Sequence, residues 1–386
     1  MNCWQFETIV TRTRVDERGT WVALEMTFFY AEGGGQPADT GTLAGKPVLD
    51  VQRFDDNVWH LLEHALEVGA TVTGMIDESV RHDHSIQHTA QHVLTAMLQD
   101  EYGIQTLSFG IGSEESSLEI ETDTFDWEQV ESLERSVQRI IFENRPVLTY
   151  ELPSEQVDHH RLRKATDRSG TVRIVEIEGI DYNACGGTHV EATGQIGVIH
   201  VTSMKKVRGN VRLTYVAGLR ALTAVHSSRT ALRMIHQTLS TTNETVAARV
   251  IEERNGRLER EKEVKELESR VAKAKVAAFL QEDNYVITHI GKTETERLTT
   301  TIVERIAASG RIAIGANHSG QKLWLMHDGT HDIAIGKFLK RTLDDLGIGR
   351  GGGNHKQAQA RFESVNELER AITEIVKRLQ EGMVSC

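Results

Sequence analysis

DYNACGGTHV, residues 181–190, sets a cysteine and a histidine four positions apart across two glycines, in a chain of 386 residues with only three cysteines. Gly186 and Gly187 carry no Cβ to obstruct a tight turn, so the side chains of Cys185 and His189 can converge on one point. Thiolate and imidazole are donors that suit zinc. A lone CxxxH, however, also describes a small buried cysteine near a loop histidine. The reading therefore turns on a second pair, and QHTAQHVL, residues 87–94, supplies it. On a helix, His88 and His92 are separated by about 400° of rotation and about 6 Å of rise, so both imidazoles leave one face. Taken alone, this pair also fits two hydrogen-bonded core histidines, the commoner case in a chain with 17 histidines. Together, two pairs of equal spacing close a four-ligand set of His88, His92, Cys185 and His189.

The remaining composition narrows the class. At roughly 100–200 residues per domain, the length implies two or three domains. The formal charge of −12 argues against a protein that coats nucleic acid indiscriminately, though not against a local basic surface. The N-terminus lacks the charged and apolar pattern of a signal peptide, and no apolar run approaches the roughly 20 residues that span a bilayer. Cys3, Cys185 and Cys386 are scattered and odd in number, which fits a reducing cytoplasm better than a disulfide framework.

Around the two pairs the hydrophobic period changes along the chain. Residues 1–84 read as β-rich and barrel-like: WVALEMTFFY, KPVLDVQRF and NVWHLLE are strand-like, and EGGGQPADTG is a turn cluster. SIQHTAQHVLTAMLQDEY places Ile86, Ala90, Val93, Leu94 and Met97 on one helical face, and WEQVESLERSVQRIIFEN is a second amphipathic helix. SSLEIET and the stretch leading into DYNACGGTHV are strand-like, and IGVIHVTSMKKVRGNVRLTYVAG suggests a curled basic hairpin. Residues 85–218 thus form a two-layer core that carries the four ligands. Residues 219–282 read as a helical hairpin or coiled coil. There Leu232, Leu239 and Val246 are seven apart, and Thr241 with Glu244 has capping-box spacing. A solvated helical linker fits them as well. Residues 283–386 alternate strands and helices as a separate α/β domain, with GRGGGNH as a turn. The whole is an α+β chain.

HTAQHVL followed by CGGTHV, and preceded by FFYAEGGGQPADTG, resembles the AlaX family of editing proteins, relatives of the editing half of alanyl-tRNA synthetase. The likeness extends over nearly the whole chain and is greatest to the long form, AlaX-L. The segment with GRGGGNH resembles the C-terminal domain that the synthetase shares with DHH-type phosphoesterases. This resemblance implies zinc on His88, His92, Cys185 and His189. It implies substrate contacts from Thr27, the glycine motif Gly33, Gly34, Gly35 and Gln36, and Gln91. Two departures concern the pocket: Gly110 stands where the family often has histidine, and Gln91 where the synthetase tends to have threonine.

The implied reaction is ester hydrolysis of tRNA(Ala) wrongly carrying serine or glycine, through a water held by the zinc or by backbone groups. No activation domain precedes residue 1, so charging is not expected. Lys205, Lys206, Arg208 and Arg212 form the best basic run for tRNA, with Arg161, Arg163 and Lys164 a second; each also reads as solvated surface charge. The C-terminal domain is a candidate for tRNA contact through Gly351–Gly353, or for homodimerisation. Two alternatives stand beside this reading. One is a DHH-type phosphoesterase, on the strength of Asp158-His159-His160. The other is a non-catalytic tRNA-binding module with structural zinc.

Overall fold

The computed structural model of the chain describes residues 4–54, 57–159, 161–164, 170–281 and 286–382. The chain divides into two compact units, residues 1–238 and 239–386.

The first unit begins with β1 (Gln5–Asp16), β2 (Gly19–Leu24), β3 (Gly41–Leu43), β4 (Lys46–Val48), β5 (Asp50–Phe54), β6 (Asn57–Leu62) and β7 (Thr71–Ile76). They form one antiparallel sheet in the order β4-β3-β7-β1-β2-β6-β5. Its two edge strands, β4 and β5, are consecutive in the chain, and between them the Leu49 N–H donates to the Leu61 carbonyl (2.9 Å). The sheet therefore curls almost into a barrel, around Phe6, Val10, Val22, Leu43, Val51, Leu62 and Val72. Of the stretch WVALEMTFFY, only the part within β2 is strand; the chain from Glu25 onward leaves the sheet.

A helix-on-sheet core follows. It holds α1 (Glu78–Tyr102), β8 (Thr106–Ile111), β9 (Ser116–Ile120), α2 (Trp127–Glu143), β10 (Val147–Pro153), β11 (Thr171–Ile177), β12 (Asp181–Ala184), β13 (Ile199–Val207), β14 (Asn210–Ala217) and then α3 (Leu219–Leu239). The strands make two small antiparallel sheets, β13-β14-β9-β8 and β10-β11-β12. α1 starts seven residues before the sequence expectation because Asp77 caps it, its carboxylate accepting from the amides of Ser79 and Val80. It stops at Gly103, which adopts φ 66°. Val130, Leu133, Val137, Ile140 and Ile141 of α2 are buried in the same core as Ala90, Val93 and Leu94 of α1. At roughly 1.5–3 kcal/mol per large apolar side chain, this packing holds α1 rigidly against the strands.

The second unit has α4 (Val246–Phe279), β15 (Val286–Gly291), α5 (Glu296–Ala307), β16 (Ile312–Asn317), β17 (Lys322–Met326), α6 (Ile335–Leu346), β18 (Arg350–Gly353), β19 (Gln357–Arg361) and α7 (Val365–Gln380). Its sheet runs β15-β16-β17-β19-β18, parallel only between the first two strands.

Two local expectations are corrected. RGGG, residues 350–353, is a strand, not a turn. A Cβ on Gly351 or Gly353 would lie 2.4 Å from the Gln359 carbonyl or 2.1 Å from that of Gln357, so glycine is what lets β18 lie flat on β19. Thr241 and Glu244 form no capping box either. α4 starts later, after Thr245, which makes no side-chain cap, and Glu244 instead accepts from the Thr242 hydroxyl. Among the described residues, no helix is long and apolar enough to cross a membrane.

Candidate metal centre

Both arms of the centre come from fixed elements. His88 and His92 project from the middle of α1, where every residue from His84 to Leu94 is buried. Cys185 and His189 lie on the loop that leaves β12. There Arg173 of β11 clamps the turn by donating to the Cys185 and Gly187 carbonyls, both at 2.8 Å. One donor atom from each of His88, His92, Cys185 and His189 lies within 4.8 Å of every other. Cys185 Sγ is 3.5 Å from His88 Nε2 and 3.4 Å from His189 Nε2. Gly187 is obligatory, since a Cβ there would sit 2.1 Å from the His88 ring.

The second nitrogen of each imidazole shows which way its lone pair points. His88 Nδ1 lies 2.8 Å from Gln36 Oε1, an acceptor, so that nitrogen carries the proton. His92 Nδ1 lies 2.6 Å from the buried Asp181 carboxylate. His189 Nδ1 lies 3.1 Å from the Thr89 hydroxyl, whose own hydrogen goes to the Ser85 carbonyl, so Thr89 accepts. With Nδ1 of each imidazole held outward, the Nε2 atoms are the ones turned toward the sulfur. This is the outer support that ligating histidines require.

The local electrostatics agree. Burial would raise the Cys185 thiol, but its contacts with His189, His88 and His92 outweigh it and push the thiol down to about 2. Burial lowers His88, and lowers His189 to about 3, keeping both imidazoles neutral; at His92 burial is outweighed by the Asp181 carboxylate and the Cys185 sulfur, which raise it to about 10. A thiolate, two neutral imidazoles and a third whose Nε2 proton a bound cation would displace form a donor set of zinc's preference.

The glycine motif is no mobile turn. Gly33 and Gln36 pair across Gly34 (φ 56°) and Gly35 (φ 83°), a two-residue turn that needs positive φ at both centres. Gly35 is further fixed by Phe109, whose carbonyl would be 2.7 Å from a Cβ and whose ring lies 5.1 Å from that of His88. The turn thus delivers Gln36 to His88 and Thr188. Among the described residues, the exposed Gly34 and Gly35 amides donate to no protein group.

Thr27 Oγ1 lies 2.9 Å from His60 Nε2 and accepts from the Phe29 amide at 3.2 Å. His60 Nδ1 faces the Val22 carbonyl, so Nε2 is the acceptor and the Thr27 hydroxyl donates to it. Thr27 is left able only to accept from any further partner. The Gln91 amide donates to Thr95 one turn along α1. A Cβ at Gly110 would meet open space.

Lys205, Lys206, Arg208 and Arg212 are exposed on the β13–β14 hairpin, with Lys205 opposite Arg212, and Arg212 pairs with Glu119. In the second basic run Lys164 is exposed, while both arginines are paired. Arg163 is bidentate on Asp100 and reaches Asp181, so it supports the centre from behind. Arg161 is paired with Glu176 and stacked on Tyr182. Of Asp158-His159-His160, the first two follow a short 3-10 turn and His160 lies outside the described residues; the cluster of four is the metal-type group found among those described.

The outer partners were hidden from a linear reading. Asp181 and Thr89 stand within the quoted motifs, but as ordinary polar residues. Arg173 is a single basic residue in an apolar strand, twelve positions before the cysteine it helps to hold, and carries no signal at all.

Two stretches of the chain fit family models of class II aminoacyl-tRNA synthetases, which sets the class. The family model of the second additional domain of threonyl- and alanyl-tRNA synthetases matches residues 172–214, and that of class II (A) tRNA synthetases matches residues 6–80. The alanyl-tRNA editing protein AlaX-M of Methanosarcina acetivorans is 32% identical over 237 residues, covering 56% of this chain and 96% of that one. AlaX-L of Pyrococcus horikoshii is 26% identical over 94% of this chain and 93% of its own. Aarsd1 of Danio rerio is 37% identical over 205 residues, and the chain spans about half the length of that relative. The chain belongs to the alanyl-tRNA editing protein family.

Proposed function

We propose that the chain is a trans-editing hydrolase that removes serine or glycine from mischarged tRNA(Ala), with one zinc ion held by His88, His92, Cys185 and His189. The observation that supports this reading is the convergence of three anchored imidazoles on the half-buried sulfur of Cys185. Zinc at such a centre supplies a Lewis acid, able to lower the pKa of a water or to fix the aminoacyl end. The chain's own residues then bind and sort the ester. The Gly34 and Gly35 amides are the donors for a ribose or acyl oxygen, with no Cβ in the way. The Gln36 and Asp181 side chains keep the ligands aimed. Thr27, with its hydrogen committed to His60, accepts from the hydroxyl of serine. Alanine leaves that acceptor unpaired, so hydroxyl pairing adds to size in rejecting the cognate product. Gln91 borders the same helix turn and shapes the pocket.

Lys205, Lys206 and Arg208, with Arg212 where Glu119 releases it, supply phosphate contacts. The same reading assigns residues 1–84 to a barrel-like domain, 85–218 to the editing domain, 219–282 to a helical hairpin, and 283–386 to a DHH-associated domain that mediates dimers. It places the protein in the cytoplasm.

The test is incubation with Ser-tRNA(Ala), Gly-tRNA(Ala) and Ala-tRNA(Ala). Release of serine or glycine but not alanine, lost in Cys185→Ala while tRNA binding persists, is the expected result. Equal lifetimes of all three esters with and without protein would refute it.

A further inference from the structure

The outer face of the N-terminal sheet carries a feature that the metal centre does not use. A bulge between Val10 and Arg12 shifts the register of β1 on β2. Beyond it, Arg12 stands opposite Ala23 and Arg14 opposite Trp21, and β6 continues these rows with Trp59 and Leu61. The guanidinium of Arg14 lies 4.4 Å from the Phe54 ring centre, 5.1 Å from Trp59 and 5.6 Å from Trp21, and that of Arg12 lies 5.5 Å from Trp59.

The aromatic bed is closed. Trp21 is 1% exposed and Trp59 6%, so neither ring is free to stack on a base or to enter a membrane. What this face offers to solvent is the two arginines, both exposed. Covering apolar surface is an ordinary task for an arginine stem. It does not explain why neither charge closes an ion pair among the described residues. In the same unit Arg18, Arg81, Arg163 and Arg220 each close an ion pair with a carboxylate, whereas among the described residues Arg12 and Arg14, like Arg53 and Arg139, close none, although the Asp16 carboxylate feels the charge of Arg14. The chain as a whole is strongly acidic, so carboxylates were not scarce.

A guanidinium held over a ring has already lost rotamer freedom, and it still presents a fork of N–H donors. Two such forks, one strand repeat of about 7 Å apart, match neighbouring phosphates of a single nucleic-acid strand. We infer that the Arg12–Arg14 face is a second tRNA phosphate contact, separate from the β13–β14 hairpin. It rests on the tRNA reading above and extends it to the N-terminal sheet.

The test uses the full-length protein, the double variant Arg12→Gln/Arg14→Gln and the single variants Arg12→Gln and Arg14→Lys. Binding of uncharged tRNA(Ala) transcript is measured across a salt series, with thermal melting as the folding control. The double variant is expected to bind about tenfold more weakly near 0.1 M salt, with the slope of log K against log salt reduced by about 1.5, as loss of two phosphate contacts requires. Its KM for Ser-tRNA(Ala) rises while kcat holds, and hydrolysis of a small 3′-seryl adenosine ester is unchanged. If the double variant melts early, the single variants carry the test: Arg12→Gln is expected to reduce the slope by about 0.7, and Arg14→Lys to keep the slope with a weaker Kd. Folded variants with the parent's Kd and slope would overturn this inference alone. Failure of the unaltered protein to bind tRNA at any salt would overturn it together with the editing reading.

Discussion

At the scale of single residues, the centre depends on groups that touch no metal. Gln36 and Asp181 fix the Nδ1 protons of His88 and His92 and so aim the opposite lone pairs inward. Gln36→Ala or Asp181→Asn should therefore lower zinc affinity about 10- to 100-fold with the four donors intact, as measured by competition with a chromogenic chelator. His60 makes a separate prediction. Burial outweighs its hydrogen bond to Val22 and lowers its pKa to about 4 in the folded chain, against about 6.5 unfolded. Between those values the unfolded chain binds more protons, so stability falls as pH drops from 6.5 towards 4. The loss from this one group should reach about 2 kcal/mol near pH 4.5. Urea melts of wild type and His60→Gln at pH 7 and 4.5 check it: the variant should show the shallower pH dependence. That the four donors meet was legible in the sequence, because their spacing on a helix and across a glycine hinge is a linear signal. Their supports were not. Gln36 was singled out as a substrate contact but lies against His88 and Thr188. Arg163 read as a phosphate contact, because Asp100 and Asp181 opposite it are far away in the chain.

At the scale of elements, α1 is the beam on which the centre hangs. Its face of Ile86, Ala90, Val93, Leu94 and Met97 was legible from the 3.6 period, and all five are buried. Its start was not, because Asp77 lies among other polar residues and the cap depends on local backbone geometry. Asp77→Ala should cost about 1 kcal/mol, read as a lower melting temperature, and leave zinc stoichiometry unchanged, since the cap lies three turns from His88. The same contrast explains the C-terminal glycines. In sequence three glycines signal a turn, yet here they permit close strand approach, and only the position of β19 distinguishes the two. α3 and α4 read correctly as long charged helices: α3 buries only Ala221, and α4 only Ala272 and Val276.

At the scale of the whole molecule, the change from a two-residue to a helical period marked the β-rich beginning, and the alternation of strands and helices marked the end. Sheet order was not legible, because closure of the first sheet depends on β4 and β5 meeting through Leu49. All four donors and their outer partners lie within residues 1–238, and 96% of the AlaX-M relative matches just over half of this chain. A fragment ending at Thr238 should therefore fold, bind zinc and deacylate Ser-tRNA(Ala), with its loss confined to tRNA affinity. Circular dichroism and deacylation kinetics measure this. The most direct test of the shared centre is elemental analysis of freshly purified full-length protein beside Cys185→Ala. One zinc per chain, falling to a small fraction in the variant while its fold persists, is the predicted result. Metal-free wild-type protein that stays folded and still hydrolyses Ser-tRNA(Ala) would contradict it.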